Sequence, residues 1–259
     1  MLPPYFDSHA HLDAPQFATR VPEVVGNARA AGIGPVITIG TGVDSSAAAV
    51  SIAQAYPEIY ASVAIDPHGA SAFNEAAYAR LLDIARDPRV KAIGETGLDY
   101  HYYYSPVEAQ QISFRRHIHL AHETGLPLVI HNRLADADVL RILAEEDPQR
   151  RLSVILHCFD ATAEFARACI DRGAVLSFSG MVTFRKRQDL REIANMVPLG
   201  QLLAETDCPY LSPEPVRHHR PNEPALVVHT FAALAEVKQL PLAEFVQALR
   251  DNLRNVVGI

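Results

Sequence analysis

Short apolar, β-branched segments alternate with helical patterns along the whole 259-residue chain, and no other feature restricts its fold as much. The strand candidates are "YFDSHAH", "GPVITIG", "IYASVAI", "VKAIGETG", "LPLVIHN", "LSVILHCF", "AVLSFSG" and "QLLAETD". Between them lie Ala- and Leu-rich stretches with helical periodicity, among them "VPEVVGNARAAG", "SSAAAVSIAQAY", "EAQQISFRRHIHLAHETG" and "ATAEFARACIDRG". Gly32, Gly125 and Gly173 stand where helix C-termini are expected, because glycine enters the left-handed conformation without a Cβ penalty. Strands that alternate with helices pair in parallel, and eight such units predict a closed (β/α)8 barrel, an α/β fold, over one domain spanning 1–259. A doubly wound open sheet is the weaker alternative, since no Gly-rich nucleotide fingerprint follows any strand candidate.

Composition narrows the classes further. With 49% hydrophobic and 20% charged residues, the chain has an ordinary globular balance. No run approaches the roughly 18 apolar residues of a membrane helix. The start, "MLPPYFDSHAHLD", has neither the basic nor the apolar region of a secretory signal. Three cysteines, Cys158, Cys169 and Cys208, cannot all pair within the chain, and a reducing cytoplasm is the expected setting. The net charge of −7 and the lack of a basic arm argue against tight, non-specific duplex binding. They do not argue against a phosphodiester handled at a metal site, where the ions supply positive charge. Nothing in the pattern calls for a membrane or an obligatory protein partner. Twelve histidines are the one compositional pointer to metal chemistry.

Barrel enzymes carry their active sites at the C-terminal ends of the strands. His9 and His11 are placed there at the end of the first strand candidate, Glu95 at the fourth, His131 at the fifth, His157 at the sixth and Asp207 at the eighth. In an extended strand, residues at i and i+2 share a face, so His9 and His11 project together, with Asp7 in the same phase. Six imidazole and carboxylate groups in one phase of a repeating unit suit Zn, Mn, Fe or, with more oxygen and water, Mg. They exceed the needs of one ion that keeps an open position, so two divalent ions about 3.5–4 Å apart are expected. Cys158 and Cys208 follow His157 and Asp207 directly, and continued strand geometry would turn both into barrel–helix packing. The other histidine-rich stretch, "HIHLAH" (His117, His119, His122), falls in a helical pattern, where i and i+2 diverge, and is read as solvated or packed.

The blocks "FDSHAHLD", "IGETGLDYHYYYSP", "LPLVIHNRLADAD", "ILHCFDA", "SGMVTF", "LLAETDCPYLSP" and "NEP" resemble, in order, the signature blocks of the TatD family of metal-dependent hydrolases. The resemblance implies a metal-dependent (β/α)8 barrel and a hydrolase often acting as a deoxyribonuclease, typically a 3′–5′ exonuclease on DNA ends. Carried over by motif, His9 and His11 match the first-strand ligand pair and Glu95 the carboxylate bridging two ions. His131 and His157 match the ligands of the second ion. Asp207 matches a carboxylate that binds metal and handles the attacking water. Arg133 falls where the family usually has a basic residue near the substrate phosphate. Two departures touch the substrate rim. The third strand reads "AIDPHG", so His68 is kept while Asp66 replaces an earlier histidine; and the loop "RHHRPNEP", with Arg217 at its start, is altered over 217–224.

The leading expectation is a phosphodiesterase or deoxyribonuclease using two divalent ions, with Glu95 and Asp207 in catalytic roles and His68, Arg133 and Arg217 at the substrate. A metal-dependent amide, lactone or ester hydrolase is the alternative, motivated by the charge of Asp66. A non-enzymatic metal-bound scaffold is the least favoured.

Overall fold

A computed structural model describes residues 5–259, and the first four residues, part of the stretch read above for a secretory signal, lie outside it. Eight parallel strands form one sheet in sequence order: β1 (Tyr5–Ala10), β2 (Ile33–Ile39), β3 (Ile59–Val63), β4 (Val90–Asp99), β5 (Leu128–Arg133), β6 (Val154–Leu156), β7 (Val175–Phe178) and β8 (Leu202–Ala204). A parallel bridge between Ala10 and Cys208 brings the two ends together into a barrel. Around it run α1 (Val21–Ala30), α2 (Val43–Ala55), α3 (Glu75–Ile84), α4 (Val107–Thr124), α5 (Asp136–Glu146), α6 (Ala163–Arg172), α7 (Gln188–Met196), α8 (Val227–Lys238) and α9 (Leu242–Val257).

Each predicted strand segment overlaps an observed strand, and the order is that of a (β/α)8 barrel. The physical reason is burial on both faces: strands in a parallel sheet covered by helices read as continuous apolar runs. Val36, Ile37 and Ile39 in β2 and Leu128, Val129 and Ile130 in β5 are all buried. In β1, Phe6 packs edge-on against Phe231 of α8, ring centroids 5.1 Å apart. Alternation then turns Asp7 and His9 to the other face of that strand. Gly125 and Gly173 close α4 and α6 in left-handed conformation, at φ 69° and 88°. Among the described residues, no helix is long and apolar enough to cross a membrane.

The strand ends differ from expectation in detail. β1 stops at Ala10, one residue before His11, and β6 stops at Leu156, one before His157. β8 ends at Ala204, three residues before Asp207. β4 does not end at Glu95 but continues four residues to Asp99, paired with β5 through Gly97–His131, Leu98–Asn132 and Asp99–Arg133. The phase argument for the two cysteines therefore fails. Cys158 and Asp207 both take positive φ, 44° and 54°, so strand geometry does not continue through either pair. Cys208 is nevertheless fully buried, whereas Cys158 is half-buried with its Sγ 3.3 Å from Ser179 Oγ.

A candidate metal centre at the barrel mouth

Barrel closure assembles one side of the site. The Asp207 N–H donates to the His9 carbonyl at 3.0 Å and the His11 N–H to the Cys208 carbonyl at 2.8 Å. These bonds lock the end of β1 to the turn after β8. They bring His11 Nε2 to 3.3 Å and His9 Nε2 to 3.8 Å from Asp207 Oδ1. Asp7, in phase with His9, is not part of this group. It is buried one layer deeper, accepting from the Thr206 N–H at 2.9 Å and from the His9 N–H at 3.3 Å, and it pins β1 to the segment leaving β8.

Glu95 joins the two halves. The β4–β5 register shifts across it, between Ile93 and Thr96, and Gly94 and Gly97 stand on either side at positive φ, 148° and 134°. Its Oε2 lies 3.2 Å from His9 Nε2 and 3.7 Å from His11 Nε2. Its Oε1 lies 3.0 Å from His131 Nδ1 and 3.2 Å from His157 Nε2, and those two ring nitrogens are 3.2 Å apart. One carboxylate thus presents one oxygen to each of two histidine pairs. All six groups singled out in the sequence meet here.

The electrostatics follow from burial and crowding. Burial drives Glu95 upward, but His157, His131 and His9 outweigh it and hold the carboxyl well below its ordinary range. Asp207 behaves alike: burial raises it, while the bond to His11 and the nearby imidazoles bring it lower. Burial pulls His11 down, yet Asp207 and Glu95 lift it to about 9. Burial and the neighbouring His157 lower His9.

Whether a metal fits can be tested on unpaired atoms. Nε2 of His9, which faces Glu95 and Asp207, is buried and makes no hydrogen bond. Burying such polar atoms unpaired costs free energy that ligation of an ion would remove. His9, Glu95 and His157 form one group with ligand atoms close enough for an ion, and His9, His11 and Asp207 form another. The residues fit.

Two carboxylates that sequence reasoning passed over support this cluster. Asp99 Oδ2 lies 3.2 Å from His131 Nε2 and 3.0 Å from His68 Nε2, so it ties the third-strand loop to β5. Glu205 is fully buried, accepts the Cys158 N–H at 2.7 Å through Oε1, and places that oxygen 3.6 Å from His157 Nδ1. Glu205 had a usable signal, two residues before Asp207. Asp99 had one as well, closing the "GETGLD" block four residues after Glu95.

The residues expected at the substrate are more scattered. His68 reaches the cluster through Asp99, and Asp66 Oδ2 stands 3.5 Å from His68 Nδ1. Arg133 is exposed, its guanidinium 5.5 Å from the Tyr102 ring centroid. Arg217 sets its guanidinium over Phe184, 3.7 Å from the centroid. In α4, His117 is fully buried and packed, while His119 and His122 pair with Glu146 and Asp147 at 2.8 and 3.5 Å.

The profile of the family described as TatD related DNase matches residues 6–258. The chain belongs to that family. It is 37% identical to the uncharacterized metal-dependent hydrolase YabD of Bacillus subtilis, over 98% of this chain and 99% of that protein. It is 32% identical to the 3′–5′ ssDNA/RNA exonuclease TatD of Escherichia fergusonii, again over 98% and 99%. Among solved structures, the TatD homologue YjjV of Escherichia coli superposes with a TM-score of 0.92 at 26% identity, covering both chains completely. This TatD-family chain is therefore a metal-dependent hydrolase by kinship, and its groups positioned for metal are those at the barrel mouth.

Proposed function

We propose that this chain is a phosphodiesterase that removes nucleotides from the 3′ end of single-stranded DNA or RNA, using two divalent ions. The observation that carries the reading is the division of Glu95, whose Oε2 faces His9 and His11 while Oε1 faces His131 and His157. The relative in Escherichia fergusonii that bears the name of a 3′–5′ ssDNA/RNA exonuclease supports the substrate class.

In this reading His9, His11 and Asp207 would hold one ion and His131 and His157 the other, with Glu95 contributing to each. Mg, Mn or Zn would serve. Bound there, the ions would supply Lewis acidity, enough to acidify a water and polarise a phosphoryl oxygen. The protein's own groups do the rest. Asp207, kept ionised by His11 and the neighbouring imidazoles, accepts the proton of the attacking water. Asp99 orients His131 from its far side, and Glu205 does the same for His157, fixing which nitrogen of each ring faces the centre. Arg133, exposed at the end of β5, offsets charge that develops on the phosphoryl oxygens.

A second reading, a metal-dependent amide, lactone or ester hydrolase, is favoured by Asp66, a carboxylate beside His68 that repels a phosphate. The deciding experiment follows 5′-labelled single-stranded DNA with metal-free protein reconstituted with Mg, Mn or Zn, beside a Glu95→Ala control. A metal-dependent ladder shortening from the 3′ end, absent in the control, supports the nuclease. No cleavage by protein that holds its metals, together with turnover of amides or esters, supports the second reading.

A further inference from the structure

We infer that the tyrosines after β4 form a stacking platform for an unpaired base of the substrate strand, so that this loop, beside the metal centre, selects single-stranded ends. The inference rests on the phosphodiesterase reading and deepens it.

Three consecutive tyrosines stand unusually far out: Tyr102, Tyr103 and Tyr104 are 48%, 60% and 69% exposed. Large exposed aromatic clusters mark binding surfaces more often than chance. Two of the rings are ordered against each other. Tyr102 and Tyr104 lie parallel within 7°, centroids 5.5 Å apart, an offset stack whose Tyr104 ring is 69% exposed. The loop leaves β4 through an Asp99 turn, where Oδ1 accepts the His101 and Tyr102 N–H groups at 2.8 and 3.0 Å.

The platform is coupled to the centre by contact. His68 sets its edge against both rings, at 5.8 Å from Tyr102 and 5.1 Å from Tyr104, and is joined through Asp99 to His131. Arg133, its guanidinium 5.5 Å from the Tyr102 ring centroid, adds a cation to this face. Across the mouth, Tyr210 is 52% exposed and meets His11 edge-on at 6.1 Å. A strand entering the site therefore passes an aromatic face with a cation beside it, the pairing by which single strands are held without sequence preference. A paired base is held in its stack by its partner strand; an unpaired base is free to turn out of the stack onto an aromatic side chain.

The test compares two 5′-fluorescent single strands of equal length whose last linkages are phosphorothioate to slow cleavage. One carries bases throughout, and in the other the last three 3′ sugars lack bases. Anisotropy titrations of the metal-loaded protein should show the base-bearing strand bound about 5- to 150-fold more tightly. Tyr102→Leu and Tyr104→Leu should remove most of that difference, and Tyr102→Phe and Tyr104→Phe should keep it. Equal binding of both strands by the wild type, or an undiminished preference in both leucine variants, overturns the platform. Hydrolysis of bis(4-nitrophenyl) phosphate, too small to span the loop and the centre, is measured on the same preparations. Turnover without a base preference removes the platform alone. A base preference without turnover of any diester leaves the platform and removes the phosphodiesterase reading.

Discussion

His9 and His157 lie ring on ring, centroids 3.9 Å apart and planes 7° from parallel. They come from β1 and from just past β6, yet both direct Nε2 at Glu95, each at 3.2 Å. Two stacked imidazoles at that spacing do not both carry charge readily. Burial and His157 lower His9, whereas burial of His157 is outweighed by Glu95 and Glu205, which raise it well above the ordinary value. Glu95 is thus the anion that makes this packing tolerable, with or without ions. Glu95→Gln keeps the shape and removes the charge. The expected result is loss of bound metal by elemental analysis and a fall in hydrolysis of about 100-fold or more, with an unchanged far-UV spectrum. Full metal content in a folded Gln variant would show that Glu95 is not the shared ligand.

Glu205 offers a subtler test. Its Oε1 accepts the Cys158 N–H at 2.7 Å and faces His157 Nδ1 at 3.6 Å. A glutamine can keep the first interaction through its carbonyl but cannot draw the His157 proton to Nδ1 as a carboxylate does. Partners of this kind typically contribute about 10- to 100-fold to metal affinity or activity. Glu205→Gln should weaken metal binding by that order in a competition titration against a chelator. An unchanged affinity would limit Glu205 to holding the Cys158 turn.

His117 has a separate, pH-dependent role in stability. Its Nε2 accepts the Ile65 N–H at 3.0 Å and its Nδ1 donates to the Ser113 carbonyl at 2.7 Å, so the ring must be neutral. Burial pushes its pKa down to about 4, against an ordinary 6.5. The unfolded chain therefore binds a proton that the folded chain refuses. The stabilisation is complete above pH 6.5 and is lost as pH falls towards 4, up to roughly 3 kcal/mol. Urea midpoints for wild type and His117→Gln should draw together across that window. A gap that stays constant between pH 7 and pH 4.5 would exclude the titration.

The barrel was legible because its rule is periodic: apolar strand, helix, apolar strand, repeated. The six metal-friendly groups were legible for the same reason, since each falls near the end of a strand segment. What escaped depends on departures from regular strand geometry. Positive φ at Cys158 and Asp207 broke the phase argument for the cysteines. The extension of β4 beyond Glu95 placed Asp99 against His131, and only three-dimensional register shows that.

Gly97 makes that register testable. At φ 134° it faces His131 across the β4–β5 pair, and a Cβ there would run into the His131 carbonyl oxygen and backbone. Neither strand can yield without moving Glu95, Asp99 or His131. Gly97→Ala should cost more than about 3 kcal/mol, visible as a large drop in Tm, with metal content falling alongside. A variant of near-normal Tm would mean that the strand pair is softer than its hydrogen bonding implies.

Asp66 bears on which bond is cut. Its Oδ1 accepts the Gly69 N–H at 2.7 Å, and its Oδ2 lies 3.5 Å from His68 Nδ1, so the carboxylate stands beside the histidine that meets the tyrosine loop. Burial, then the charge of Glu95, raises its pKa to about 6, leaving it largely ionised at neutral pH. A phosphodiester approaching His68 meets that charge, and a neutral amide or ester does not. Asp66→Asn retains an acceptor for Gly69 while removing the repulsion. If the natural substrate is a phosphodiester, kcat/KM on single-stranded DNA at pH 7.5 should rise by about 3- to 10-fold, the order expected of one partly screened charge near the substrate. The gain should be smaller in high salt. A fall in diester turnover would show instead that the Asp66 carboxylate positions His68 for this chemistry, and its charge would then belong to the machinery of the site.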